Sequence, residues 1–206
     1  ESLELTINNL EDTRSRRNYN CYCASYPSIY DNSPFLKQEL VLETYVALLP
    51  FPTVTRMVDN YLYRFLKKIN RLDIAEQYDL MPFPITTQAI ERTLVDKIFA
   101  ICDYYLDGKT EKHSRHLYDI HKIYTNMEIP NNFKDLIVNV RSLRSELAVC
   151  PSAKDGVDIN KVLQEIVDTE AYKNDYEEIT SGLLFTPLEY DEVITSINAI
   201  IQLNLF

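Results

Sequence analysis

The chain has 206 residues, 46% of them hydrophobic and 11% aromatic, enough for one substantial core or two small ones and unlike a disordered or fibrous polymer. A formal net charge of −10 argues against a uniformly basic nucleic-acid binder and leaves local basic patches open. Three isolated glycines, Gly108, Gly156 and Gly182, exclude a P-loop and a dinucleotide-binding fingerprint.

The chain opens at Glu1 without a methionine, which suggests a trimmed or truncated segment. The first stretch has no apolar core of a signal peptide, and no apolar run is long enough for a membrane span, so a cytoplasmic location without membrane contact is expected. Four cysteines, Cys21, Cys23, Cys102 and Cys150, lack a structural-zinc spacing and read as reduced thiols. Cys21 and Cys23 fall on one face of a strand, where they cannot easily bridge each other.

Composition shifts near residue 85, dividing the chain into 1–84 and 85–206. In the first part, 19–26 reads as a strand. Within 35–49, Leu36, Leu40 and Leu42 alternate with Lys37, Glu39, Val41 and Glu43, a second strand stopped by Pro50 and Pro52. Residues 55–71 read as an amphipathic helix with Met57, Leu62, Phe65, Leu66 and Ile69 inward. From Asp73 to Pro84 a connection is expected, ending in an extended segment.

The second part reads as helices. One is capped by Thr86 or Thr87, carries Glu91 in its first turn and runs to about Leu106, where Gly108 ends it. Others follow at 112–126, 131–149, 158–171 and 188–204, with a short one within 175–184. The expected class is therefore α+β, an incomplete sheet layer followed by a helical lobe.

Several polar residues fall where chemistry is possible. Glu39 and Glu43 share a strand face at a separation of roughly 13–14 Å, too far to bind one ion together. Either could join carboxylates from a neighbouring strand around a divalent cation, or simply face solvent. On the helix from residue 86, the apolar stripe is Ile90, Leu94, Ile98, Ile101 and Tyr105, with Lys97 at its edge and Asp96 pointing away. On the next, the stripe is His113, Leu117, Ile120 and Tyr124, with Asp119 at its border. Lys97 and Asp119 can meet across the crevice between the two helices, as a structural salt bridge or as a cation poised for phosphate beside a carboxylate. His113, His116 and His121 have no cysteine placed to complete a zinc site, which leaves packing or phosphate contact. Lys109, Lys112 and Arg115 form a local basic cluster, either a solvated face or an approach to a nucleotide or RNA backbone.

The segments Thr93-Leu-Val-Asp96-Lys97 and Arg115-His116-Leu-Tyr118-Asp119 together resemble the nucleotidyltransferase toxins of the AbiEii/AbiGii family. That family carries a Thr-x-x-(Glu/Asp)-Lys helix before an Arg-(Asp/His)-x-Tyr-Asp helix. The strand around Lys37-Gln-Glu39 and the Asp175-Tyr-Glu-Glu and Tyr190-Asp-Glu-Val segments resemble other parts of the family, so the likeness runs from about residue 30 to 206.

The resemblance implies a partial polymerase-β-like nucleotidyltransferase sheet in 1–84 and a helical C-terminal domain in 85–206. It implies a nucleoside triphosphate (NTP) and Mg²⁺, with transfer of a nucleotidyl group to tRNA or another RNA acceptor. A toxin–antitoxin or phage-defence pair is its implied setting, with an antitoxin protein as partner. Lys97 would contact the triphosphate, Asp119 would orient the lysine or touch the nucleotide, Arg115 would assist, and Glu39, with Glu43 as second, would stand near the metal.

The family's Gly turn and Asp-x-(Asp/Glu) strand are not found in the sequence, which would make this the C-terminal two-thirds of a longer enzyme, inactive alone. The alternative is a non-catalytic remnant, a module for binding a partner or nucleic acid.

Overall fold

The computed structural model describes residues 5–14, 18–27, 39–46 and 51–206. Two small antiparallel sheets precede a helical lobe, so the class is α+β as expected, in agreement with a partial nucleotidyltransferase-like fold. Leu36, Lys37 and Gln38 lie outside the described residues.

The first sheet runs β1 (Thr6–Ile7), β2 (Tyr19–Ser25), β3 (Glu39–Tyr45) in that spatial order. Its register sets Cys21 opposite Glu43 and Ser25 opposite Glu39. The side chain of Asn9 fastens the β1 end to β2, donating to the Cys21 carbonyl at 2.8 Å and accepting from the Cys23 amide at 2.9 Å. Leu40 and Leu42, expected on one face of this strand, are 54% and 63% exposed. Alternation sorted the faces of this strand, but among the described residues no second layer covers the apolar one.

The second sheet pairs β4 (Thr53–Val58) with β5 (Phe83–Gln88), and α1 (Tyr61–Lys68) and α2 (Leu72–Gln77) connect them. This corrects the single helix expected over 55–71. Thr53, Val54, Thr55 and Val58 are β-branched and find a partner strand in β5. Asn60 then starts the helix, its side chain accepting the Tyr63 amide at 2.8 Å. Of the five side chains expected inward, Leu66 alone is buried, while Met57, Leu62, Phe65 and Ile69 are exposed. α2 occupies part of the expected connection. β5 also takes up Thr86 and Thr87, so neither caps the following helix.

That helix, α3 (Ile90–Leu106), organises the lobe, packing against α4 (Arg115–Tyr124), α5 (Phe133–Ser145) and α6 (Ile159–Asp168). Leu94, Val95, Ile98, Phe99, Ile101 and Cys102 are its buried stripe, whereas Ile90 is exposed at its first turn. Gly108 ends it at φ +66, where its amide reaches the Tyr105 carbonyl and the Lys109 amide reaches Tyr104, a Schellman closure that favours glycine. A short helix, α7 (Lys173–Asp175), leads into a π turn at Tyr176–Thr180. The last helix, α8 (Tyr190–Leu203), has a capping box between Glu189 and Glu192 and lies on α4 and α6. Phe206 closes the core edge-on to Phe99 and Phe133. Among the described residues no helix is long and apolar enough to cross a membrane.

Candidate active site

The two flanks of α3 carry different charged groups. On the α4 flank, Lys97 Nζ donates to Asp119 Oδ2 at 2.7 Å and stands 3.1 Å from His116 Nδ1. An ammonium can only donate, so His116 accepts through Nδ1, which puts the ring proton on Nε2. Lys97 and Asp119 keep 28% and 37% of their side-chain surface open to solvent. Partial burial works to raise the pKa of Asp119, but the Lys97 ammonium bonded to it outweighs this and holds the carboxyl below its ordinary value. Arg115 sits one helical turn before Asp119, on the same side of α4, with its side chain exposed.

Two turns beyond Lys97 on α3, Tyr104 stacks on His113, with ring centroids 3.5 Å apart and planes within 8°. His113 therefore precedes α4 instead of joining its buried stripe. The loop that carries it is held by Asp175, whose carboxylate accepts the amides of Lys112 at 2.6 Å and Ser114 at 3.0 Å. Burial would raise the Asp175 pKa, but these hydrogen bonds prevail and lower it. Ser114 also bonds Thr180 at 2.7 Å, which ties the start of α4 to the π turn. In the expected basic cluster, Lys109 is paired with Asp107 at 3.0 Å. His121 turns to the other side of α4, where Nδ1 lies 2.9 Å from the Ser196 hydroxyl of α8.

On the α5 flank the charges are inside. Arg92, 1% exposed, donates to Asp96 at 2.9 Å and to the Phe51 carbonyl at 3.1 Å. Asp96 also meets Arg144 at 3.3 Å, and Arg144 reaches Asp103 at 2.7 Å. The second oxygen of Asp103 accepts the amide and hydroxyl of Ser152 at 2.8 and 2.6 Å. Asp96 thus does not point away from the protein as its helical angle suggested. Its partner Arg144 lies 48 residues on, beyond the reach of a helical wheel. Tyr104 and the arginine network were not singled out from the sequence, and His116 was weighed there only for packing or phosphate contact. The i, i+3 spacing of His116 and Asp119 was the one local signal available.

Glu39 and Glu43 lie apart from Lys97 in sequence and element. Glu43 accepts from the Tyr19 hydroxyl at 2.5 Å, a bond that pushes the Tyr19 pKa up. Among the described residues no three His, Cys, Asp or Glu side chains gather closely enough to hold a metal ion. Glu39 and Glu43, four residues apart on one strand, do not together fit a divalent cation.

The family model described as nucleotidyl transferase AbiEii toxin, type IV toxin–antitoxin (TA) system, matches residues 2–196. No curated protein and no solved structure matches the chain. With a family match over nearly its whole length and the two helices that carry Lys97 and Asp119 inside it, this chain belongs to the AbiEii nucleotidyl transferase toxin family.

Proposed function

We propose that the α3–α4 crevice is the phosphate-handling part of a nucleotidyltransferase site, in a cytoplasmic toxin restrained by an antitoxin protein. The setting is a toxin–antitoxin or phage-defence pair. In this reading residues 1–84 belong to the nucleotidyltransferase core and 85–206 form the lobe that presents Lys97 and Asp119. The observation that carries it is the 2.7 Å Lys97–Asp119 contact, partly open to solvent, in a chain matched by the family across residues 2–196.

An ammonium has three N–H donors. Asp119 and His116 engage two and fix the direction of the third, which serves an oxygen of a nucleoside triphosphate. Asp119 keeps the lysine oriented as negative charge builds on the phosphate, and Arg115 adds a second cation one turn away. The acceptor in this reading is RNA, such as the 3′ end of tRNA.

One observation favours a second reading. The 206 residues contain no Gly turn followed by Asp-x-Asp, so the chain taken alone acts as a binding module and not as a complete enzyme. Two assays separate these. Protein made from the gene's natural start codon incorporates labelled NTP into RNA, and Lys97→Ala and Asp119→Ala each abolish incorporation while the circular dichroism spectrum is unchanged. Wild-type activity in both variants removes the assignment, and loss of folding in both returns the pair to a structural salt bridge. For the 206-residue chain alone, Mg²⁺ with NTP raises Tm little. A shift of many degrees would refute its being an incomplete site.

A further inference from the structure

Beside the Lys97–Asp119 pair lies a cavity that the phosphate chemistry does not use. It holds about 330 Å³, near the lower end for small-molecule sites, with Ala100, Leu147, Val149 and the rings of Tyr45 and Tyr104 among its walls. Its two cations are already answered, Arg144 by Asp103 at 2.7 Å and Lys109 by Asp107 at 3.0 Å. Apolar walls and internally balanced charge suit a neutral planar group better than an anion.

Tyr104 joins this cavity to the site. His113 covers one face of its ring, with centroids 3.5 Å apart and planes within 8°. The ring of His116 is nearly parallel to both, 5.8 Å from Tyr104 and 6.2 Å from His113. Those three distances put His116 beside the Tyr104 ring and not over its second face, so among the described residues no ring covers that face. His116 in turn stands 3.1 Å from Lys97 Nζ. Lys97, Ala100 and Tyr104 follow one another at the i, i+3, i+7 spacing of one helix face, so the cavity begins one turn of α3 beyond the lysine.

We propose that this cavity is a nucleobase subsite: the base of a nucleoside triphosphate stacks on the uncovered face of Tyr104 while its phosphates reach back along α3 to Lys97. The inference rests on the phosphate-handling role of Lys97 proposed above. His113 holds the tyrosine ring from behind, and stacking on it is open to any base because every base has a π-face. Asp107 and Lys109 offer an acceptor and a donor to the edge of the base.

The test titrates the whole chain with three kinds of probe: ATP, CTP, GTP and UTP, the four corresponding nucleosides, and inorganic tripolyphosphate. At least one NTP is expected to bind at least about tenfold more tightly than tripolyphosphate. Tyr104→Ala removes that advantage and leaves tripolyphosphate binding unchanged, whereas Tyr104→Phe keeps it. Ala100→Leu, which fills the cavity and leaves the Tyr104–His113 stack in place, removes it as well. A measurement on the unmutated chain guards against misfolded variants: the matching nucleoside shifts the ring NMR signals of Tyr104. NTP and tripolyphosphate bound alike, an advantage that survives both Tyr104→Ala and Ala100→Leu, or Tyr104 signals unmoved by every nucleoside overturns the proposal. Equal loss of NTP and tripolyphosphate binding in Tyr104→Ala also overturns it, because the ring would then only support His116. Failure of the phosphate-handling role shows separately, as tripolyphosphate binding that Lys97→Ala does not weaken.

Discussion

The two flanks of α3 show how burial separates a charge that holds a fold from one available for chemistry. Toward α5, Arg92, Asp96, Arg144 and Asp103 are joined to one another, to Ser152 and to the Phe51 carbonyl, with Arg92, Arg144 and Asp103 buried. Toward α4, the Lys97–Asp119 pair has comparable hydrogen-bond length but remains partly solvated. A buried network is costly to break because the surviving partner is left as an uncompensated charge. A solvated pair contributes little to stability and can exchange one partner for a ligand.

Arg144→Ala is the harshest way to break this comparison. It strands Asp103 in the core and is expected to cost about 3–5 kcal/mol, a fall in Tm on the order of 10 °C. A loss below about 1 kcal/mol in denaturant unfolding would erase the distinction between the flanks. Asp175→Ala comes next. It leaves the Lys112 and Ser114 amides without their acceptor and is expected to cost about 1–2 kcal/mol, comparable to losing a helix cap. Because Asp175 holds the loop carrying His113, the same variant should alter the Tyr104–His113 stack, measurable by NMR shifts of both rings.

The smallest effect is the pH dependence of the open pair. Asp119 has its pKa lowered in the folded chain, so its contribution is full above the unfolded carboxylate value of about 3.9. That contribution is lost as pH falls through the lower folded value. Asp119→Asn should therefore be less stable than wild type at pH 7 by about 1 kcal/mol or less, with the two chains converging under acid conditions. Unfolding curves measured at a series of pH values check this. A gap that widens on acidification contradicts the sign.

The helical lobe was legible because the apolar residues of α3 to α8 recur at helical spacing and their ends carry local signals, Gly108 among them. The hydrophobic pattern around Met57 and Leu62 was misleading, since it runs unbroken across Asp59 and Asn60, where a strand gives way to a helix. β4 is specified by β5 about thirty residues away, a pairing that no local window contains. The same limit applies at the site. Lys97 and Asp119 could be matched because each lies at the border of its own stripe on adjacent helices. The partnership of Asp96 with Arg144 is set by the packing of α5. On β2 the shared face of Cys21 and Cys23 followed from alternation, while the opposition of Glu43 required the register.

Whether Lys97 is poised for phosphate is tested most directly by triphosphate binding to the folded chain. Labelled NTP is titrated into the wild-type chain and Lys97→Ala, with Tm recorded for both. The predicted result is at least about a tenfold loss of affinity in the variant, equivalent to about 1.4 kcal/mol, with stability changed by about 1 kcal/mol or less. Equal affinity in the two chains, or a variant that fails to fold, would make Lys97–Asp119 a structural salt bridge and contradict the assignment.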